Sequence, residues 1–428
     1  MTATNAIAAE PLGRRILLEN GMVLLLSEKH DIPMVTVNMA ITAGNTAEPA
    51  GKPGLASLTA SLLTQGTAKR SAQQISREID FIGGSVSISG GDDYASASLR
   101  VLKKDVRTGF DLLADVLMNP AFDQKEIDRK VKETLAEIRR KQEEPGIVAG
   151  NAFDKAVFGA GAYGRTDDDV AAYLPKLARR DILDFYAARY SPNHAIISVV
   201  GDVTEKEVVS LLRECFQSWR KKEQPLPASI EPPVIEKTTV KKIDKHITQA
   251  NIAMGNVGIS RENPDFYACT IMNYILGGGG FTSRLMDNIR DNKGLAYDVH
   301  SGFAPQKEPG AFTVTIQTKN ESANEVIAET LKEIDRIQSE LVTEQELSDA
   351  KAYLTGSFPL RMDTSAKIAG MLTAIEIYNL GLDYPKRYPS LINAVTREDV
   401  RRVAKKYLHP DRMVVVVVAD LEKAKLKY

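Results

Sequence analysis

RRDILDFYAARYSPNHAIISVVGD, from Arg179 to Asp202, and REDVRRVAKKYLHPDRMVVVVVAD, from Arg397 to Asp420, follow one pattern. Asp181 falls on Asp399, Pro192 on Pro410 and Asp202 on Asp420, each pair 218 residues apart. In the first copy the pattern reads as a helix (Asp181–Tyr190), a turn (Ser191-Pro192-Asn193) and an apolar strand (Ala195–Val200). A second match lies upstream in the same order. VLKKDVRTGFDLLADVL and EIDRKVKETL, from Val101 and Glu126, correspond to IQTKNESANEVIAETL and ELSDAKAYL, from Ile316 and Glu346. One matched segment can arise by chance; two, in order and at near-constant offset, predict an internal duplication.

Working outward, the local signals are those of hairpins and paired helices. Arg15–Ser27 reads as a hairpin about Asn20-Gly21, since both turn residues tolerate positive φ. A strand over Pro33–Ala43 is followed by helices over Gly54–Gly66 and Ala72–Ile82, then strands over Ser85–Ile88 and Tyr94–Leu102. Helices over Arg107–Leu117 and Glu126–Lys141 complete the set before Asp181. Between Lys221 and Lys242 the period vanishes, and Pro225, Pro227, Pro232 and Pro233 sit among charges. Proline restricts itself and its predecessor, so this stretch predicts a linker. The expectation is α+β: two homologous domains, 1–220 and 243–428, each a mostly antiparallel sheet packed with helices, joined by the linker 221–242.

Bulk composition narrows the function classes. A chain of 428 residues exceeds what one core supports. Lys+Arg 55 against Asp+Glu 56 gives a net charge of −1, which offers nucleic acid or an anionic membrane no electrostatic footing. Cys215 and Cys269 are the only cysteines, so a disulfide framework and a thiolate metal cluster are both excluded. No apolar run approaches the roughly 20 residues of a membrane span. The opening MTATNAIAAEPL has no basic or apolar leader region and, read literally, is cytoplasmic. Ala6, Ala8 and Ala9 also resemble the downstream end of a trimmed secretory signal, which implies the periplasm.

Familiar catalytic motifs do not occur. There is no G-x-S-x-G elbow, no GK[ST] phosphate loop and no G-x-G-x-x-G. His30, His194, His246, His300 and His409 lie far apart, with no i, i+3 or i+4 pair to hold a metal on a helix. One stretch, YILGGGGFTSRLMDNIRDNKGLAYDVHSGF (Tyr274–Phe303), departs from packing logic. Gly277, Gly278, Gly279 and Gly280 end an apolar helix, where one glycine would suffice. Ser283 is placed to cap the next helix, which carries Arg290, and Lys293-Gly294 leads into an extended run holding Tyr297. By itself the pattern lets Arg290 pair with Asp287 one turn back. It also lets Tyr297 sit in the core, in alternation with Leu295, Val299 and Phe303.

Beside these readings stands a resemblance covering nearly the whole chain. GKPGLASLTASLLTQGT, from Gly51, looks like the zinc helix of the pitrilysin-type, or inverzincin, metallopeptidases. That family carries H-x-x-E-H there: two zinc-binding histidines one helical turn apart, with a glutamate as general base. In this chain the positions hold Ser57, Ala60 and Ser61, none of which binds zinc or takes a proton from water at neutral pH. The family's third ligand is similar in placement to Glu137, which by itself reads as an i, i+4 partner of Lys141. Arg290 and Tyr297 match the R-x6-Y spacing that the family's partner half supplies. In the relatives the tyrosine hydroxyl helps to stabilise the oxyanion and the arginine holds a substrate carbonyl. The glycine run is similar to the substrate-engaging loop of the non-catalytic subunit of mitochondrial processing peptidase. Retention of the Arg/Tyr pair makes the chain look more like the bacterial two-subunit version.

The resemblance therefore implies a zinc-less subunit forming half of a clamshell, with no metal of its own. Zinc and general base are expected in a homologous partner bearing H-x-x-E-H. Arg290 and Tyr297 act in trans, Gly277–Gly280 touch the substrate, and the substrate is an unstructured peptide. The alternative from another class is a non-catalytic homodimer of the same fold, structural or peptide-binding.

Overall fold

The computed structural model describes residues 11–223, 225 and 231–428. The Ala6, Ala8 and Ala9 signal and part of the expected linker, Pro227 included, lie outside the described residues. In the first half, strands β1 (Arg14–Leu17), β2 (Val23–Glu28), β3 (Met34–Ile41), β4 (Ser85–Gly90), β5 (Ala95–Leu102) and β6 (Ala195–Gly201) form one sheet, ordered β1-β2-β6-β3-β5-β4. In the second, β7 (Thr239–Asp244), β8 (Gln249–Val257), β9 (Ala296–Phe303), β10 (Ala311–Lys319) and β11 (Val414–Ala419) run β7-β11-β8-β10-β9. Leave out β1 and the two orders are the same. Each sheet has one parallel pair, β2 with β6 and β7 with β11, and is otherwise antiparallel. The duplication in the sequence is thus a duplication of topology.

Two local expectations change. The hairpin between β1 and β2 closes over the five residues Leu18–Met22: only Gly21 takes positive φ (84°), and the Asn20 side chain accepts the Met22 N–H at 3.2 Å. Asn20 prefers that side-chain turn to a left-handed backbone. β7 starts at Thr239, so the last four residues of the expected linker already pair, in parallel, with β11.

Each sheet packs one face on helices of its own half. β5 shows the logic in its simplest form: Ala95, Ala97, Leu99 and Val101 are buried and the residues between them exposed, the period-2 signature of a half-covered sheet. β11, VVVVVA, is buried on both faces. Val415 and Val417 join the second half's own core, whereas Val414, Val416 and Val418 meet Ala149, Ala152, Phe153 and Val157 of helix Pro145–Phe158 from the first half. The exchange is reciprocal. Helix Ser365–Ile377 of the second half sets Ile368, Ala369 and Leu372 on Leu25 of β2 and Val200 of β6. There Thr373 shares a buried hydrogen bond with Ser198 at 2.8 Å, and Arg15 grips Glu376 with two nitrogens. Each buried valine at such a joint is worth about 1.5–3 kcal/mol as an upper estimate, so the halves are locked to each other and not merely tethered. Among the described residues, no helix is long and apolar enough to cross a membrane.

Candidate functional site

The segment joining β8 to β9 is built from irregular backbone. Helix Phe266–Asn273 passes into a π-turn, Tyr274–Gly278, whose wider winding shows in the Gly279 N–H donating to the Tyr274 carbonyl at 2.8 Å. A Cβ on Gly277 would lie 2.6 Å from the Ser301 Oγ and 2.7 Å from its amide, so β9 can approach only bare backbone. Gly280 has φ +60° and opens a short 3-10 turn, Gly280–Thr282. The expected cap at Ser283 is not formed: its hydroxyl donates back to the Gly280 carbonyl at 2.7 Å, closing the glycine turn instead.

From Arg284 the chain winds again and turns π-helical over Met286–Asn292, which carries Arg290. Three polar contacts fasten this segment. Arg284 bonds Glu346 at 2.6 and 3.0 Å, Asn288 donates to Glu333 at 2.9 Å, and Lys293 pairs with Glu329 at 2.7 Å. Lys293, with Lys332 and Asn288, draws the Glu329 carboxyl down to about 2. Gly294, at φ +62°, ends the segment.

Tyr297 is not a core residue. It is 75% exposed, because the ladder between β9 and β10 slips beside it: Gln317 faces Asp298, yet Thr318 faces Ala296. Tyr297 is the extra residue of a β-bulge, and the bulge breaks the alternation that would have pointed it inward. Ala296 and Val299 are buried, with Tyr297 and Asp298 both outside. The Arg290–Asp287 pair that the spacing allows does not form either. The Arg290 guanidinium lies 4.5 Å from the ring centre of Phe281 and 5.3 Å from that of Tyr297. Among the described residues it has no carboxylate within salt-bridge distance, and the Tyr297 hydroxyl has no hydrogen-bond partner. A free cationic donor and a free hydroxyl, side by side on an exposed edge, suit a ligand that brings carbonyl oxygens or negative charge.

The first half places Ser57, Ala60 and Ser61 on helix Leu55–Leu62. Ser57 is exposed and bonds Asn45 at 3.3 Å; Ala60 is fully buried; the Ser61 hydroxyl donates to the Leu58 carbonyl at 2.8 Å. Glu137 is exposed and pairs with Arg140 at 2.7 Å, not with Lys141 as the spacing suggested. The i, i+3 partner wins because a guanidinium takes both carboxylate oxygens. These four residues do not fit zinc: two hydroxyls, a methyl and a carboxylate held by arginine make no ligand set. Among the described residues no group of three His, Cys, Asp or Glu side chains converges. The charged feature of this helix is structural. Buried Glu48 accepts the Ala56 N–H at 2.7 Å and meets Arg165, and burial pushes its carboxyl up to about 7.

Sequence reasoning missed Phe281 and Glu48. Phe281 carries a faint signal, an aromatic residue directly after a glycine run. Glu48 carries none, since its charged partner, Arg165, lies 117 residues away.

Comparison with known proteins agrees with this fold. A family model described as Insulinase (Peptidase family M16) matches residues 23–166, and one described as Peptidase M16 inactive domain matches residues 176–354. An uncharacterized zinc protease of Streptomyces coelicolor is 26% identical over 427 residues, covering 96% of this chain and 91% of its own. One of Bacillus subtilis is 26% identical over 361 residues, covering 82% and 85%. Among solved structures, a peptidase M16 inactive domain from Pseudomonas fluorescens has a TM-score of 0.88 at 27% identity, covering 95% of this chain and 98% of that one. A protease from Helicobacter pylori also reaches 0.88, at 20% identity over 96% of this chain and all of its own, a likeness of fold.

Proposed function

This chain belongs to the peptidase M16 family, and we propose that it is the zinc-less subunit of a heterodimeric metallopeptidase. Its partner is a homologous chain with H-x-x-E-H, which supplies zinc and the general base. What this chain supplies is a pair of donors. The Tyr297 hydroxyl donates to the oxygen that becomes negative as the peptide carbonyl is attacked, and Arg290 holds a neighbouring carbonyl of the extended peptide. The glycine run, with Gly278 and Gly280 exposed, offers backbone to the same peptide.

The observation that carries this reading is the state of the pair. Arg290 and Tyr297 stand together, outside the core, and within the described residues neither the guanidinium nor the hydroxyl is taken up by a hydrogen bond or an ion pair. A purely structural copy of the fold has no use for a bulge that turns a tyrosine outward, whereas the helix with Ser57, Ala60 and Ser61 has become ordinary packing.

The test is to recover the tagged chain from its native source and assay the eluate for zinc and for cleavage of an unstructured peptide. The same chain produced alone is the control. A second chain of similar size, with zinc and activity that the control lacks, is the expected result. Activity with bound zinc in the lone chain overturns the reading of the Ser57 helix. A native eluate with no partner and no activity favours a non-catalytic homodimer.

A further inference from the structure

Phe281 is two-thirds exposed and, among the described residues, belongs to no hydrophobic cluster. A phenyl ring left in water gains nothing from burial, so its place needs another explanation. The backbone on either side is fixed. Gly280 takes φ +60° where nothing lies within 4 Å, the Thr282 hydroxyl donates to the Gly279 carbonyl at 3.0 Å, and the Ser283 hydroxyl donates to the Gly280 carbonyl at 2.7 Å. Two hydroxyls and a left-handed glycine hold one short turn, and that turn presents one ring. The ring centre sits 4.5 Å from the Arg290 guanidinium, nearer than the 5.3 Å of Tyr297.

Arg290 needs such a support. Among the described residues no carboxylate comes within salt-bridge distance of it; Asp298, next to Tyr297 on β9, pairs with His300 at 3.1 Å. A long side chain with no ion pair is otherwise free to swing. A ring beside the guanidinium restrains it through cation–π attraction without offering an oxygen to take up its N–H donors, which are left for a ligand. A carboxylate would fix the same side chain but would occupy those donors.

We propose that Phe281 is a positioning residue for Arg290: the glycine run serves to set this ring against the guanidinium, so that Arg290 meets the peptide already oriented. The assignment rests on the subunit reading above and adds a residue that touches the arginine and not the scissile bond. Loss of the ring releases Arg290 without removing it. The effect belongs in substrate binding, a rise in KM of about 2- to 5-fold, the range that exposed cation–π contacts supply, with kcat nearly unchanged.

The experiment uses the two-subunit complex with Phe281→Leu, Phe281→Tyr and Arg290→Ala in this chain, each assayed for KM and kcat on an unstructured peptide. The Arg290 Nε–H resonance of each variant is recorded alongside. Phe281→Leu keeps an apolar side chain and removes the π face; at an exposed site it is expected to fold as wild type does. The expected result is a raised KM and a moved Arg290 resonance in Phe281→Leu, both restored in Phe281→Tyr. If Phe281→Leu matches wild type in KM while Arg290→Ala does not, the positioning role is wrong and the role of Arg290 stands. If Arg290→Ala itself leaves KM and kcat unchanged, the underlying subunit reading fails and the role of Phe281 falls with it.

Discussion

The connection from β3 to β4 and the connection from β8 to β9 occupy the same place in the two halves, yet they are built to different standards. In the first, Gly51, Gly54 and Gly66 take positive φ in the turns, but the helices and the strand pairing are regular. Helices Leu55–Leu62 and Ala72–Phe81 are α-helical, the second opens on a capping box between Ser71 and Gln74, and β4 pairs with β5 without a break from Ser85–Arg100 to Gly90–Ala95. The second has two π-turns, a run of four glycines and a bulge in β9. Irregular backbone costs free energy and persists only where surrounding contacts over-determine it. Here those contacts are Arg284 with Glu346, Asn288 with Glu333 and Lys293 with Glu329. The connection with the exposed donors carries the π-turns and the bulge; the connection without them carries neither.

The largest test of that contrast is on the regular side. Ala60→Glu restores the general-base position of the family motif but puts a carboxylate where the methyl is fully buried. An uncompensated buried charge costs about 3–5 kcal/mol, which thermal or denaturant unfolding will show, whereas Ser57→His at its exposed neighbour changes stability by less than about 0.5 kcal/mol. An unperturbed Ala60→Glu variant means the helix still keeps room for the base, and the contrast breaks. Next comes Tyr297→Phe on the irregular side. It removes only a hydroxyl, and kcat of the complex is expected to fall about 10²- to 10³-fold with assembly intact. A wild-type rate ends the proposed role.

A smaller effect belongs to the supports. Glu329→Gln removes the carboxylate shared by Lys293 and Lys332, with an expected loss of about 1.5–3 kcal/mol at neutral pH. Because the folded-state pKa is depressed, to about 2, the contribution is present above the ordinary carboxylate range and is lost as pH falls toward that value. Wild type and variant should therefore differ in unfolding free energy at pH 7 and converge as pH drops below about 4; a gap that stays constant with pH contradicts the assigned pair. The smallest is Gly280→Ala, about 1–2 kcal/mol for a Cβ at φ +60°, with no steric clash to add to it. If that variant unfolds with the wild-type midpoint, the turn re-forms without left-handed backbone, and the glycine is not what aims Phe281.

Much of this was legible in the chain. The paired stretches at Arg179 and Arg397 foretold the repeated topology, and the strands and helices fall close to where the periodicity puts them. The R-x6-Y spacing picked out Arg290 and Tyr297, though their local patterns pointed inward, to Asp287 and to the core. That failure has a definite cause. Alternation along β9 assumes unbroken register, and the register is set by β10: Gln317 and Thr318 skip Tyr297, a fact no property of Tyr297 encodes.

By itself the sequence determined what depends on neighbours along the chain: which segments are helix or strand, that the halves repeat, and that Ser57, Ala60 and Ser61 lack the atoms to bind a metal. Only the tertiary structure decided what depends on neighbours across space. Helix Pro145–Phe158 belongs to the first half, yet its apolar stripe lies on β8 and β11 of the other half, where Val414, Val416 and Val418 leave that face apolar. Phe281 meets Arg290 across a turn that opens on a left-handed glycine, and among the described residues no acid comes within salt-bridge distance of Arg290. Local propensity acts over a few residues; register, helix exchange and the missing counter-ion are settled by segments tens to hundreds of residues apart.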